Sequence, residues 1–306
     1  MTAQRFERIA IVGFGEVGGI WGRDLAAQGA HVAVYDNLLL PGAAREAMLA
    51  KARDCRVNAR DSLRECLREA ELVISAVTAS SALSVAGDAA PLLRAGQFYL
   101  DINSVSPETK AAMAERAAQG QGLFTEAAVM APVSPQRLKV PMLLGGKHAT
   151  ELAARLATLG MNAKMVSERV GVASAVKMCR SVLVKGLEAL AVEGLFAARR
   201  YGAEDAVLAS LDASYPGMGW KAHLPEYLIS RVAEHGRRRA AEMREAAQAL
   251  RQVGLDPRMA LATAERQDWL VNEMAMRGIS APEEKAFSWR ALADALREAE
   301  MASGAD

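Results

Sequence analysis

Two groups of residues in this chain have types and spacings that do chemistry. The first is Gly13-Phe14-Gly15-Glu16-Val17-Gly18. At this spacing Gly13 permits a tight turn, Gly15 lets the backbone approach an anion with no Cβ in the way, and Gly18 lets a following helix pack closely. Where such a turn opens a helix, unpaired N–H groups and the positive end of the dipole face a pyrophosphate. The second group is Ser174, Lys177, Ser181, Lys185 and Glu188. At about 100° per residue they form one polar stripe roughly 80° wide. The other faces carry Val176, Met178, Val182, Leu183, Leu187 and Leu190. A helix this apolar is expected to be buried and to turn its polar stripe to water, a ligand or a cleft. Both bases on the stripe are Lys, although most bases in the chain are Arg. Arg does not give up its proton in a protein, whereas a partly buried Lys does, so Lys is the type that proton transfer near neutral pH requires. Periodicity alone also allows an ordinary solvated stripe.

The glycine turn follows an apolar run, Arg8–Val12, and opens a helical pattern at 16–28. A second run, His31–Tyr35, ends on Asp36, close to the offset at which an acidic residue meets a ribose. The Asp36 carboxylate accepts from ribose hydroxyls and repels a 2′-phosphate, and residues 37–40 supply no Arg to hold one. NAD is therefore favoured over NADP, with Arg45 keeping NADP open. Further apolar runs at 55–57, 71–77, 97–102, Leu123–Val129 and 142–144 alternate with helical patterns at 41–52, 61–69, 107–118 and 149–159. This alternation predicts an α/β fold, a doubly wound parallel sheet of the Rossmann kind. Asp61 reads as an N-cap, and Ser106-Pro107 places a capping Ser before a Pro at the first helical position. After residue 168 the strands stop. One long helix at 170–200 is followed by helices at 203–210, 224–250, 256–276 and 282–301. The expected organisation is a nucleotide-binding domain over 1–168 and an all-helical substrate and dimerisation domain over 169–306, joined by the long helix. Residues 212–227, rich in Gly, Pro and aromatics, form either a pocket wall or a packed connection.

Composition narrows the function. The 306 residues carry a net charge of +1, which disfavours sequence-blind nucleic-acid binding, and are 51% hydrophobic, enough for a sizeable core. Cys55, Cys66 and Cys179 have no paired spacing, so neither a disulfide framework nor a zinc site is expected. Residues 1–11 are polar and enter a strand quickly, unlike a signal peptide. No apolar stretch approaches the roughly 20 residues that span a bilayer, and a soluble cytoplasmic protein is expected. His31, His148, His223 and His235 lack metal-ligand spacing, so no metal is expected. His223 lies in the aromatic segment, and His235 and Arg238 share a helix face on which an acidic group would bind; a surface role is the plainer reading of each.

Three segments in order, Gly13–Gly18, 101–107 (Asp-Ile-Asn-Ser-Val-Ser-Pro) and 171–177 (Gly-Val-Ala-Ser-Ala-Val-Lys), resemble the β-hydroxyacid dehydrogenases, the group of 3-hydroxyisobutyrate and phosphogluconate dehydrogenases. The resemblance spans nearly the whole chain. It implies a Rossmann domain and a helical domain in a homodimer, with Lys177 moving a proton while hydride passes between a small-molecule substrate and nicotinamide. It further implies Ser104 at substrate or nicotinamide ribose, Val77 and Thr78 on the cofactor-lining strand end, and Asn103 beside the cofactor. Three departures stand out. Ser181 replaces a substrate-binding Asn, Met130 and Ala131-Pro132 replace the Ser-Gly-Gly of the substrate loop, and Ala241-Glu242 stands where a Lys-Asp pair is expected. Met130 points to a bulkier or more apolar substrate, or fills core. Imine reduction on the same architecture and a non-catalytic dinucleotide-binding regulator are the alternatives; Lys177 favours alcohol chemistry over both.

Overall fold

A computed structural model describes residues 3–280 and 287–303. The chain divides into two compact units, one ending at Lys177 and the other beginning at Met178. The end of the strand pattern at 168 precedes that division, which falls inside a helix.

The first unit is built on eight strands: β1 (Arg8–Val12), β2 (His31–Tyr35), β3 (Asn58–Ala59), β4 (Leu72–Ser75), β5 (Phe98–Asp101), β6 (Leu123–Val129), β7 (Met142–Gly145) and β8 (Ala163–Ser167). Their order is β3-β2-β1-β4-β5-β6-β7-β8, and every neighbouring pair is parallel except β6 with β7. Strands covered on both faces read as continuous apolar runs. In β1 the two-residue period sends Ile9 and Ile11 into one core cluster with Trp21, Leu25, Val34 and Ile74, and Ala10 and Val12 into the other with Val73, Tyr99 and Met113. The covering helices are α1 (Glu16–Ala27), α2 (Arg45–Cys55), α3 (Leu63–Leu67), α4 (Ala79–Ala89), α5 (Pro107–Ala117), α6 (Val133–Gln136) and α7 (Ala149–Ala157). The chain leaves β1 towards β2 on one side, while β4 lies on the other. The carboxyl ends of β1 and β4 therefore flank the switch point at which open α/β sheets bind ligands.

Local signals set the boundaries, not always where expected. Ser106 caps α5, its hydroxyl accepting the Thr109 N–H at 3.2 Å, with Pro107 as first helical residue. Asp61 is not a cap: Ser62 caps α3, accepting from the Glu65 N–H at 3.2 Å, and Asp61 pairs with Arg45 instead. The expected strand at 55–57 is the end of α2. Arg56 adopts a left-handed conformation (φ +57°) that stops the helix, and only Asn58–Ala59 pair with β2. Strand β8 was not expected, because its residues are polar or half-exposed and form no apolar run.

The second unit is helical: the rest of α8 (Val172–Arg200), then α9 (Glu204–Ser214), α10 (Leu224–Gln252), α11 (Arg258–Met276) and α12 (Trp289–Ser303). The expected helix at 282–301 begins outside the described residues. Helices α10 and α11 approach closely at Gly236, where a Cβ would overlap the Val271 side chain. Two clusters hold the unit together, one around Val192, Leu195, Ile229, Leu270 and Trp289, the other around Met178, Met243 and the alanines of α10 and α11.

Candidate active site

The three glycines of the turn do different work. Gly13 lies at φ +94°, donates its N–H to the Tyr35 carbonyl at 2.8 Å, and would overlap the Ala76 carbonyl if it carried a Cβ. A Cβ on Gly18 would overlap the Gly13 carbonyl, so α1 starts hard against the turn. Around Gly15 nothing lies within 4 Å of where a Cβ would stand. Two glycines are thus required by packing, and the third opens the start of α1 to a ligand. Glu16 is exposed and Val17 half-buried at that opening, whereas the Phe14 ring is buried. The residues fit the phosphates of a dinucleotide.

Asp36 follows β2 beside the turn. Its two carboxylate oxygens accept from the Phe14 N–H at 2.7 Å and the Leu38 N–H at 3.0 Å. Arg45 donates to the Leu39 carbonyl and to Asp61 at 2.7 Å, so its guanidinium is tied within the unit. Across the switch point Val77 is half-buried and Thr78 exposed. Thr78 takes the N-cap position of α4, its hydroxyl 3.1 and 2.9 Å from those of Ser80 and Ser81.

The end of β5 holds a buried polar network that sequence reasoning missed. Lys110, 1% exposed, donates to a carboxylate oxygen of Asp101, itself wholly buried, and to the Asp101 carbonyl at 3.1 Å. Asn103 donates its amide to the other Asp101 oxygen at 2.5 Å and to the Ser75 hydroxyl at 3.0 Å. Burying the pair is tolerable only because hydrogen bonds fill the remaining sites of the carboxylate. Burial, then the Asp101 charge, pushes the neighbouring Tyr99 hydroxyl far up. The network fixes the loop that presents Ser104, and the Ser104 hydroxyl accepts a hydrogen bond from Lys177.

Lys177 is placed by the first turn of α8. Gly171, at φ +98°, and Ala173 donate their N–H groups to one oxygen of Glu126 at 2.6 and 3.1 Å, and the Ser174 hydroxyl donates to the other. A buried carboxylate on β6 thus caps the helix and complements its dipole. Glu126 heads the altered 126–132 stretch, but its capping role depends on a helix 45 residues away.

The polar stripe was expected to face water, a ligand or a cleft, and its second half instead faces charged partners on α10. Beyond Met178, Lys185 is buried and donates to Glu242 on α10 and to Ser181 at 3.4 Å. Glu188 is fully buried and bound by Arg239 at 2.7 Å. The large apolar side chains of Val176, Leu183 and Leu190, seven apart, are instead exposed, along with Cys179 and Arg180. The reversal follows from complementary charges on α10, which lie too far along the chain for periodicity to register. Met130 is half-buried past β6, its N–H donating to the Pro141 carbonyl at 2.9 Å. His31 is exposed, and His148 and His223 take the N-cap positions of α7 and α10. His235 and Arg238 each meet their own glutamate, Glu234 at 3.3 Å and Glu242 at 3.0 Å, so they do not form one acid-binding pair. In the 212–227 segment Tyr215, Met218 and Trp220 wall an apolar cavity of about 390 Å³ with Leu187 and Leu211. Among the described residues no group of three or more His, Cys, Asp or Glu is arranged to hold a metal ion.

Residues 8–163 match the NAD binding domain of 6-phosphogluconate dehydrogenase, and residues 198–270 match a domain of unknown function. The chain belongs to the β-hydroxyacid dehydrogenase family. A conserved hypothetical protein from Sinorhizobium meliloti 1021 is 37% identical, with a TM-score of 0.85 over 97% of this chain and 98% of that one. The conserved protein MTH1747, described as structurally similar to 3-hydroxyacid dehydrogenases, is 30% identical, with a TM-score of 0.75 over 89% of this chain and all of that one. A Mycobacterium tuberculosis 3-hydroxyisobutyrate dehydrogenase shares the β-hydroxyacid dehydrogenase fold at 16% identity, with a TM-score of 0.73 over 96% of this chain and 100% of that one. An uncharacterised 28.5 kDa protein of Methanothermus fervidus is 31% identical over 149 residues, which is 49% of this chain and 56% of that relative's length.

Proposed function

We propose that the protein is an NAD-dependent oxidoreductase acting on a β-hydroxyacid or related hydroxy compound, with Lys177 as the proton-transfer residue. The observation that carries this reading is the hydrogen bond from Lys177 to Ser104 beside the carboxyl end of β5. Gly15 and Asp36 would hold the dinucleotide together with the main chain of Glu16 and Val17, and Gly13, Phe14 and Gly18 would shape the turn that presents them. Val77, Thr78 and Asn103 would line it from the β4 and β5 ends. When bound, the nicotinamide supplies the hydride donor or acceptor.

The chain's own residues supply the rest. Protonated Lys177 holds a positive charge where an alkoxide develops and delivers a proton to its oxygen; in the reverse direction neutral Lys177 accepts the hydroxyl proton. Ser104 orients the ammonium, and Glu126 orients the helix that carries it. Ser104 and Met130 are assigned to substrate, as is Ser181 by the family resemblance alone. Ser181 is shorter than an Asn, and Met130 adds apolar bulk, which favours a substrate with an apolar part. Asp36 beside the ribose position, with Arg45 engaged elsewhere, supports NAD over NADP.

A homodimer is part of this reading. Leu183 and Leu190 of α8, seven apart, are 76% and 58% exposed, apolar side chains that a second copy would cover. Among the described residues no helix is long and apolar enough to cross a membrane. The deciding experiment is a screen of hydroxyacids with NAD and NADP, comparing wild type with Lys177→Ala. A loss of about 10²–10⁴ in turnover is expected for removal of a general acid–base group. Full turnover by Lys177→Ala on a confirmed substrate would sink the assignment, and NADH binding without turnover across the panel would favour a regulator.

A further inference from the structure

Lys51 on α2 lies half-buried against the glycine turn. Its ammonium donates to the Phe14 carbonyl at 2.6 Å and to the Gly15 carbonyl at 2.7 Å, and stands 4.7 Å from the centre of the Phe14 ring. We propose that Lys51 is the positioning residue of the diphosphate site: by gripping two carbonyls of the turn it aims the Gly15 and Glu16 N–H groups at the diphosphate of a dinucleotide.

The argument rests on peptide planarity. In a trans peptide the C=O and N–H of one unit point in opposite directions. The Phe14 carbonyl shares its unit with the Gly15 N–H, and the Gly15 carbonyl shares its unit with the Glu16 N–H. The Gly15 carbonyl also accepts the Gly19 N–H at 3.1 Å at the start of α1, and with Lys51 holding both carbonyls, both N–H groups point away from the ammonium. They do so at the exposed start of α1, where the Gly15 Cβ position is open. On the other side the Phe14 N–H is held by Asp36, so the turn is gripped from both sides by opposite charges.

A second observation concerns Gly19, a fourth glycine that the turn itself does not need. A Cβ there would lie 2.8 Å from the Lys51 Cε and 3.1 Å from its Nζ. Gly19 is the clearance through which Lys51 reaches the carbonyls. The grip also sets a full positive charge beside a helix N-terminus that by itself offers about half a charge.

The proposal deepens the dinucleotide reading above and rests on it. Its test is titration of NADH, ADP-ribose and adenosine into the wild type, Lys51→Met and Lys51→Arg, with melting temperatures recorded alongside. Lys51→Met is expected to weaken NADH and ADP-ribose about tenfold, the scale of one charge-assisted hydrogen bond, while leaving adenosine, which has no phosphate, unchanged. Lys51→Arg keeps the donors and the charge and is expected to recover most of the loss. Should Lys51→Met not fold, Gly19→Ala, which suits a helix but crowds Lys51, should give the same phosphate-selective loss. Affinity for ADP-ribose within twofold of wild type, or an equal loss for adenosine, overturns the proposal alone. A wild type that binds neither NADH nor ADP-ribose overturns the dinucleotide reading and the proposal with it.

Discussion

The Glu126 carboxylate, wholly buried on β6, accepts the hydroxyl of Ser174 in the first turn of α8, one turn before Lys177. The same carboxylate binds two backbone N–H groups of that helix end, at Gly171 and Ala173. A strand residue thereby decides where the helix that carries Lys177 starts.

Replacing Glu126 by Gln presents an NH₂ group to donors that need an acceptor. Hydrogen bonds to a charged group contribute about 1.5–3 kcal/mol each, so Glu126→Gln should lower unfolding free energy by about that amount in urea denaturation. Turnover should fall more than NADH affinity, because the displaced element carries Lys177 and not the glycine turn. Unchanged stability would show that the buried carboxylate contributes no net capping.

Lys110 and Asp101 test the network under Ser104. Removing one partner of a buried ion pair leaves the other charge uncompensated, at a cost of about 3–5 kcal/mol. Lys110→Met should lose that much in urea unfolding, and the double variant Lys110→Met, Asp101→Asn should lose less than the single one. A double variant as unstable as the sum of both singles would remove the case for coupling.

Cofactor preference should follow Asp36. NADH is expected to bind at least about tenfold more tightly than NADPH, on the argument that the carboxylate accepts from ribose hydroxyls and repels a phosphate. Asp36→Ala should narrow the preference and weaken NADH, since the carboxylate also holds the Phe14 and Leu38 amides. A fluorescence titration in which NADPH binds ten times more tightly than NADH would contradict this reading.

His235 sets a pH dependence. Burial, then the charge of Arg231, holds its imidazole below the ordinary value, with Glu234 pulling the other way and Arg238 and Arg239 adding to the depression. Between the depressed folded value and the unfolded value of about 6.5, the unfolded chain binds more protons. This contribution to stability is therefore complete above about pH 6.5 and lost as pH falls towards the folded value. Urea unfolding at a series of pH values should show a decline below neutrality that is shallower in His235→Gln. Identical slopes for the two proteins would assign the decline to other groups.

Much of the first unit was legible because its signals are local. Gly13–Gly18, the two-residue period of β1 and the Ser106-Pro107 cap each act within a few residues. Where a boundary moved, the competing signal was also short: Ser62 took the cap from Asp61, and Arg56 in a left-handed conformation ended α2 inside an apparent strand. Of the candidate site, Lys177 was marked by its type on an apolar helix and Ser104 by the family resemblance alone, and the partners that hold them were not marked at all. Glu126 lies 48 residues from Ser174, and Lys51 lies 36 from Gly15. No periodicity links residues so far apart.

The sequence by itself determined a glycine turn between a strand and a helix, its acidic neighbour and a lysine on an apolar helix, because each depends on spacing along one element. Only the tertiary structure decided which face of α8 is buried, what caps it, and that Lys51 closes on the turn. Those outcomes depend on charges and carbonyls brought together by the packing of separate elements, and burial makes such pairings obligatory only after the chain has folded.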